Sequence, residues 1–150
     1  MKLAIASDHG GFDFKKEIVQ FLRQRKVEIQ DLGSKGPESV DYPDYAIKVA
    51  ELVSQGKVDA GVLVCGTGIG MCIAANKFKN VRAVVVADAF SAKMAKEHNN
   101  ANILCVGGRV VDLAKAQEIV NAWLDAKFEG GRHDRRLEKI REIEKKNFRR

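Results

Sequence analysis

Cysteine is scarce in this chain, and it is badly placed for cross-linking. Cys65, Cys72 and Cys105 are odd in number and form neither a C-x-x-C pair nor a zinc-ligand spacing. That excludes a disulfide framework and argues against a bound metal. Cys72 and Cys105 read as small core residues, because a free cysteine packs as a small hydrophobe. No apolar run approaches the roughly 18–20 residues needed to cross a bilayer. The opening Met1–Asp8 is too short and too soon acidic for a secretory signal, so the expected compartment is cytoplasmic. Internal repeats, low-complexity stretches and inter-domain linkers are also missing. Residues 1–150 therefore read as one domain, with a hydrophobic fraction of 45% and a charged fraction of 31% that are ordinary for a globular protein.

A formal net charge of +6 raises the question of nucleic acid. Its location answers most of it. Residues 1–129 carry 17 Lys+Arg against 16 Asp+Glu, and residues 130–150 carry 9 against 4. The excess is a property of the C-terminal tail, not of a binding face across the body, which makes a nucleic-acid binder the weakest of the functional readings.

Periodicity alternates between strand and helix. Apolar strand-like runs occupy Lys2–Ser7, Val27–Leu32, Val58–Val64, Val81–Ala87 and Ile103–Val106. Between them lie helical patterns over Phe12–Gln24, from Pro43 to just before Gly56, over Ile69–Phe78, over Ala92–His98 with Ser91 as its cap, and over Leu113–Lys127 capped by Asp112. Several strands are apolar on both faces. The expectation is a three-layer α/β/α fold with a five-stranded, mostly parallel, Rossmann-like sheet. From Leu137 the tail keeps a thin stripe of Leu137, Ile140, Ile143 and Phe148. It fits either a surface helix on its own domain or a helix packed against a partner subunit.

Ligands of open parallel sheets gather at the carboxyl ends of the strands. The polar residues expected at that edge are Asp8 and His9, Cys65 with Gly66-Thr67-Gly68-Ile69-Gly70, Asp88, and Arg109; His98-Asn99 is assigned to it as well. A strand that runs into glycines and then into a helix presents backbone N–H groups to an anion, and a thiol beside them sees positive potential. Gly66, Gly68 and Gly70 lack the spacing of a dinucleotide fingerprint, and no Gly-Lys-Ser/Thr of a phosphate loop follows. With no partner cysteine in sequence for redox exchange, a thiol base or nucleophile beside an amide nest is the reading left for Cys65. Asp8 is either a helix cap or an orienting group for His9. Arg132 and Arg136, four apart after Gly130-Gly131, are either a phosphate clamp or a solvated helix start.

Asp8-His9-Gly10-Gly11, Asp41-Tyr42-Pro43, Cys65-Gly66-Thr67-Gly68-Ile69-Gly70, Ala74, Asn76-Lys77, His98-Asn99 and Glu129-Gly130-Gly131-Arg132-His133 together resemble the type B ribose-5-phosphate isomerases, part of a larger family that includes galactose-6-phosphate isomerase subunits. The resemblance spans nearly the whole chain. It implies interconversion of ribose 5-phosphate and ribulose 5-phosphate without a cofactor or metal. Cys65 matches the base, where some relatives use a glutamate. The amides of Gly66, Thr67, Gly68, Ile69 and Gly70 match the enediolate site, and Thr67 a proton shuttle between the two oxygens. His98 matches the ring-opening residue and Asn99 an oxygen ligand. Asp8 and His9 match sugar- and phosphate-side contacts. Arg109, Arg132 and Arg136 match the phosphate clamp, with His133 a weaker member and Tyr42 lining the ring side. It further implies a homodimer or dimer of dimers with shared active sites, residues 130–150 lying at the interface. The alternatives are an isomerase of a six-carbon sugar phosphate, such as allose or galactose 6-phosphate, and a non-catalytic sugar-phosphate or nucleotide-binding module.

Overall fold

The computed structural model describes residues 1–148; Arg149 and Arg150, the end of the basic tail, lie outside the described residues. Five strands, β1 (Lys2–Ser7), β2 (Glu28–Asp31), β3 (Ala60–Cys65), β4 (Ala83–Val85) and β5 (Ile103–Gly107), form one sheet in the order β2-β1-β3-β5-β4. Every neighbouring pair is parallel. The helices are α1 (Phe12–Gln24), α2 (Tyr42–Ser54), α3 (Ile69–Ala75), α4 (Ala89–Asn99), α5 (Leu113–Asp125) and α6 (Arg132–Asn147).

Strand alternation sorts the side chains into two cores. Leu3, Ile5, Val62, Val64, Leu104 and Val106 meet α1, α4 and α5 on one face, where Trp123 is the largest buried side chain. Ala4, Ala6, Leu63, Cys65, Ile103 and Cys105 meet α2 and α3 on the other. The small alanines of β1 on this second face let α2 approach closely. The expected three layers are therefore present. The central strands are buried throughout because both faces are covered.

Local expectations hold with three adjustments. Asp112 caps α5, accepting from Lys115 N at 2.8 Å. The cap of α4 is Asp88 and not Ser91: the Asp88 carboxylate accepts from Ser91 N at 2.7 Å and from Ser91 Oγ at 3.1 Å, so the helix begins three residues before the serine's position suggests. The β-branched run at 81–87 pairs only over Ala83–Val85, since it lies at the sheet edge and Arg82 N is taken by Asn102 Oδ1. The tail helix starts at Arg132, earlier than its apolar stripe. No helix among the described residues is long and apolar enough to cross a membrane.

Two polar ties join layers. Lys15 is 1% exposed on α1, and its ammonium meets Asp31 Oδ1 at 2.7 Å and Ser34 O at 2.8 Å. Trp123 Nε1 donates to Ala101 O at 3.1 Å, pinning α5 beneath the start of β5. Gly61 marks the tightest contact of α2 with the sheet: a methyl there runs into Val49 Cγ1 and comes within 3.3 Å of Ile103 Cγ1. Gly61→Val is therefore expected to lower unfolding free energy by about 1–3 kcal/mol through overpacking, read as a reduced urea midpoint at unchanged m-value.

Candidate active site

The strand order reverses direction between β1 and β3, since β2 lies to one side of β1 and β3 to the other. Parallel sheets open a crevice at such a point, beyond the carboxyl ends of the strands. Ser7 pairs with Val64, and Cys65 with Gly107. Asp8, Cys65 and Gly108 thus emerge side by side, and the backbone laces their loops together: Asp8 N donates to Val64 O, Gly108 N to Cys65 O at 2.9 Å, and Arg109 N to Gly66 O at 3.0 Å.

Cys65 is 5% exposed and faces α3. Gly68 N–H donates to its Sγ at 3.1 Å. That bond requires Gly68 to adopt φ 78°, where a side chain is strained and a Cβ comes within 3.0 Å of Val106 C. Gly107 permits the loop to lie flat, since a Cβ there sits 2.6 Å from Thr67 C. Thr67 is exposed at the tip, its Oγ1 accepting from Ile69 N at 3.3 Å. Tyr42, the first residue of α2, lays its ring over Gly70, where a Cβ would be 2.6 Å from the ring. The guanidinium of Arg109 spans the mouth, beside both Gly66 and Gly10, with Asp8 Oδ1 adjacent to Gly10.

Asp8 proves to be both cap and candidate ligand: Oδ1 accepts from Gly11 N at 2.9 Å, which leaves Oδ2 for other work. His9 is clasped through Nδ1, 3.1 Å from Val40 N. Val40 O lies 3.2 Å from the same ring nitrogen. The clasp ties the site to the segment before α2.

His98 and Asn99 are elsewhere. They close α4, immediately before β5, whereas Cys65 and Gly107 end their strands. A crossover helix runs antiparallel to the strands, so its carboxyl end returns to the edge where strands begin. The separation along β5 is on the order of 15 Å. The assignment of His98-Asn99 to the Cys65 edge is thus corrected for a single chain. Arg132 and Arg136, at the amino end of α6, share the His98 edge. Glu129 N donates to Glu97 O at 3.0 Å, fastening this segment to α4. Gly130 and Gly131, at φ 66° and 57°, reverse the chain, so that His133 turns inward while Arg132 and Arg136 stay exposed.

His98 and His133 stack, with centroids 4.2 Å apart and planes 12° from parallel. Glu129 Oε2 lies 3.5 Å from His133 Nε2 and 3.9 Å from His98 Nε2. Burial, then the neighbouring His98 and Arg132, lower the pKa of His133, against an opposing pull from Glu129. These three residues come within metal-ligating distance of one another, which sequence spacing did not anticipate. Yet parallel rings aim their lone pairs along parallel lines and not at one point, so the arrangement fits a stack better than a chelate. The visible sequence signal was the four-residue spacing of Glu129 and His133. The contacts of Val40 and Gly107 had none.

Cys105 is fully buried, and burial pushes its pKa well up. Cys72 departs from the core expectation. It is half-buried on α3, bonded to Ala83 O and Asn76, and a hydrogen bond from Cys105, offset by burial, brings its pKa down to about 7. Iodoacetamide labelling followed by peptide mapping is expected to show Cys72 modification rising with pH to a half-maximum at about 7, while Cys105 stays unlabelled in the folded protein.

Known proteins resemble the whole of this architecture. Residues 3–140 match the family model described as Ribose/Galactose Isomerase. Ribose-5-phosphate isomerase B of Escherichia coli (strain K12) is 50% identical over 145 residues, covering 97% of each chain. The structure of Clostridium thermocellum ribose-5-phosphate isomerase B superposes with a TM-score of 0.96 at 54% identity, covering 98% of this chain and 99% of that one. The Mycoplasma genitalium enzyme, solved with bound ribulose-5-phosphate, gives 0.93 at 44% identity and 96% coverage of both. With a likeness of this extent, the chain belongs to the ribose/galactose isomerase family.

Proposed function

We propose that this protein interconverts D-ribose 5-phosphate and D-ribulose 5-phosphate, as a cytoplasmic enzyme of the non-oxidative pentose phosphate pathway. The observation that carries the reading is a buried sulfur at the end of β3, held by the Gly68 amide at 3.1 Å, with the Arg109 guanidinium beside the adjoining Gly66. Relatives with the same layout bear the name ribose-5-phosphate isomerase B, and one was solved with ribulose-5-phosphate bound.

The chemistry follows from those groups. In the open-chain aldose, the C2 hydrogen is acidified by the C1 carbonyl. Cys65 takes that proton, the C2 electron pair forms the C1–C2 double bond, and O1 becomes the enediolate oxygen. Amides of the Gly66–Gly70 loop beyond those bonded to Cys65 Sγ and Thr67 Oγ1 stabilise the new negative charge with little reorganisation. Thr67 moves a proton between O2 and O1, and Cys65 returns its proton to C1, leaving the ketone at C2. Hydrogen stays within one substrate, so the step calls for no redox cofactor. Asp8 and His9 hold sugar hydroxyls and the phosphate side. The phosphate supplies binding energy remote from the reacting carbons, with Arg109 at the mouth to receive it.

His98, Asn99, Arg132 and Arg136 join this site from a second copy of the chain. Within one chain they lie at the far edge, while exposed Ile69, Ile73, Phe90 and Val110 lie on the segments that follow the strands' carboxyl ends, an apolar surface suited to burial against a partner. Residues 1–150 act as one isomerase domain whose segment 130–150 works at that interface. His98 from the neighbour opens the furanose ring, and Arg132 and Arg136 clamp the phosphate bidentately.

Cys65→Ala is expected to lower kcat on ribose 5-phosphate by about 10²–10⁴-fold while ligand binding persists; normal turnover by the variant removes Cys65 as the base. Comparing kcat/KM for five- and six-carbon phosphates sets the substrate, since one extra carbon group is discriminated by about 1–3 kcal/mol. Mixing Cys65→Ala with His98→Ala subunits is expected to restore about a quarter of wild-type turnover through hybrid dimers. Failure to restore any activity after verified subunit exchange, or full activity in a monomer, sinks the shared site.

A further inference from the structure

The stack of His98 on His133 is unusual in what it leaves unsatisfied. His133 is 4% exposed, and its Nε2 is one of two buried polar side-chain atoms without a hydrogen-bond partner among the described residues. Such an atom costs free energy unless something else compensates. The segment is built to keep it there: Gly130 and Gly131 reverse the chain at positive φ, His133 N bonds Gly130 O at 3.0 Å, and Glu129 is fastened to the end of α4. The inward ring meets one polar side chain face to face, that of His98, which is part-exposed.

The geometry points to Glu129 and His133 as positioning residues for His98, the ring of His133 fixing the plane of the His98 imidazole and the Glu129 carboxylate fixing its tautomer. This deepens the proposed function and rests on His98 being the ring-opening group. Two near-parallel rings at a 4.2 Å separation restrict rotation of His98 about its ring axis. One oxygen, Glu129 Oε2, lies on the Nε2 side of both rings, at 3.9 Å and 3.5 Å. A small side-chain adjustment brings it into contact with either. A carboxylate there favours hydrogen on His98 Nε2 and leaves Nδ1 as the lone pair that exchanges a proton with the sugar. The stack also cannot hold two protons comfortably, because two imidazolium rings at that distance repel. The burial of His133, with His98, Arg132 and Arg136 near it, disfavours charge on His133. Ring opening needs a proton moved from the anomeric hydroxyl and one delivered to the ring oxygen, so a base of defined orientation and tautomer is what the step demands.

The roles separate in the full-length protein with two substrates. Ribose 5-phosphate is mostly furanose, whereas 4-deoxyribose 5-phosphate has no C4 hydroxyl and cannot close the ring. Glu129→Gln is expected to lose about tenfold in kcat/KM on ribose 5-phosphate and to act on the 4-deoxy substrate within about twofold of wild type. His133→Phe, which keeps a flat ring, is expected to retain more ribose 5-phosphate activity than His133→Ala. Imidazole ¹⁵N shifts of His98 are expected to report hydrogen on Nε2 in the wild type and a mixture of tautomers in Glu129→Gln. Equal losses on both substrates, equal loss in the Phe and Ala variants, or an unchanged His98 ¹⁵N pattern in Glu129→Gln each overturn the assignment. If His133→Ala does not fold, Glu129→Gln and His133→Phe against wild type decide the matter. If His98→Ala retains full ribose 5-phosphate turnover, the ring-opening reading fails, and the ¹⁵N pattern still tests the positioning by itself.

Discussion

The polarity of the parallel sheet governs this molecule. Every strand points the same way, so every strand-to-helix loop emerges at one edge and every helix-to-strand loop at the other. The first edge receives the backbone amides, the thiol and the residues that follow β1. The second receives helix carboxyl ends, and with them His98, Asn99 and the turn into α6. The chain's chemistry-bearing residues are thereby split into two half-sites by a rule that operates before any side chain is placed.

The Cys65 half-site depends on close backbone approach. Gly68 at positive φ and Gly107 against Thr67 let two loops touch where side chains would hold them apart. The loop's rigidity comes from main-chain bonds between neighbouring strand ends, which do not tire with side-chain motion: Gly108 to Cys65 and Arg109 to Gly66. Fixed dipoles of this kind are suited to charge that appears only transiently, because nothing must rearrange when such charge forms. The same main-chain bond that orders the loop carries Arg109 to its place over Gly66. Positioning of the anion loop and of the guanidinium is therefore one structural event.

Periodicity and punctuation made most of the fold readable. The alternation of apolar strands with amphipathic helices reports the layers, and a thiol ending a buried strand before three glycines reports a strand-end loop. Two things were hidden. The first was the edge occupied by His98: a helix end adjoining a strand was read as near the catalytic loop, although helix polarity places it opposite. The second was contact between distant segments. Nothing local in His98 announces that His133, 35 residues on, lies on its face, and Asp88 displaces Ser91 as a cap because the carboxylate satisfies both the amide and the hydroxyl of that serine. The insertion of β5 between β3 and β4 is likewise a long-range outcome that local pattern does not encode.

The start of α6 runs against local helix preference. Arg132, Arg135 and Arg136 crowd the first turns of this helix, where the macrodipole favours acids, and Asp134 is the lone acidic residue there. Leu137 and His133 are the two residues this helix buries, and they anchor it to the body. Guanidinium groups crowded at one helix end repel one another in the free chain but converge on a dianion well. Such an arrangement weakens its own helix and suits an anion. The basic charge of the tail, at first sight a sign of nucleic acid, thus includes a three-arginine cluster at the helix start beside the histidine stack.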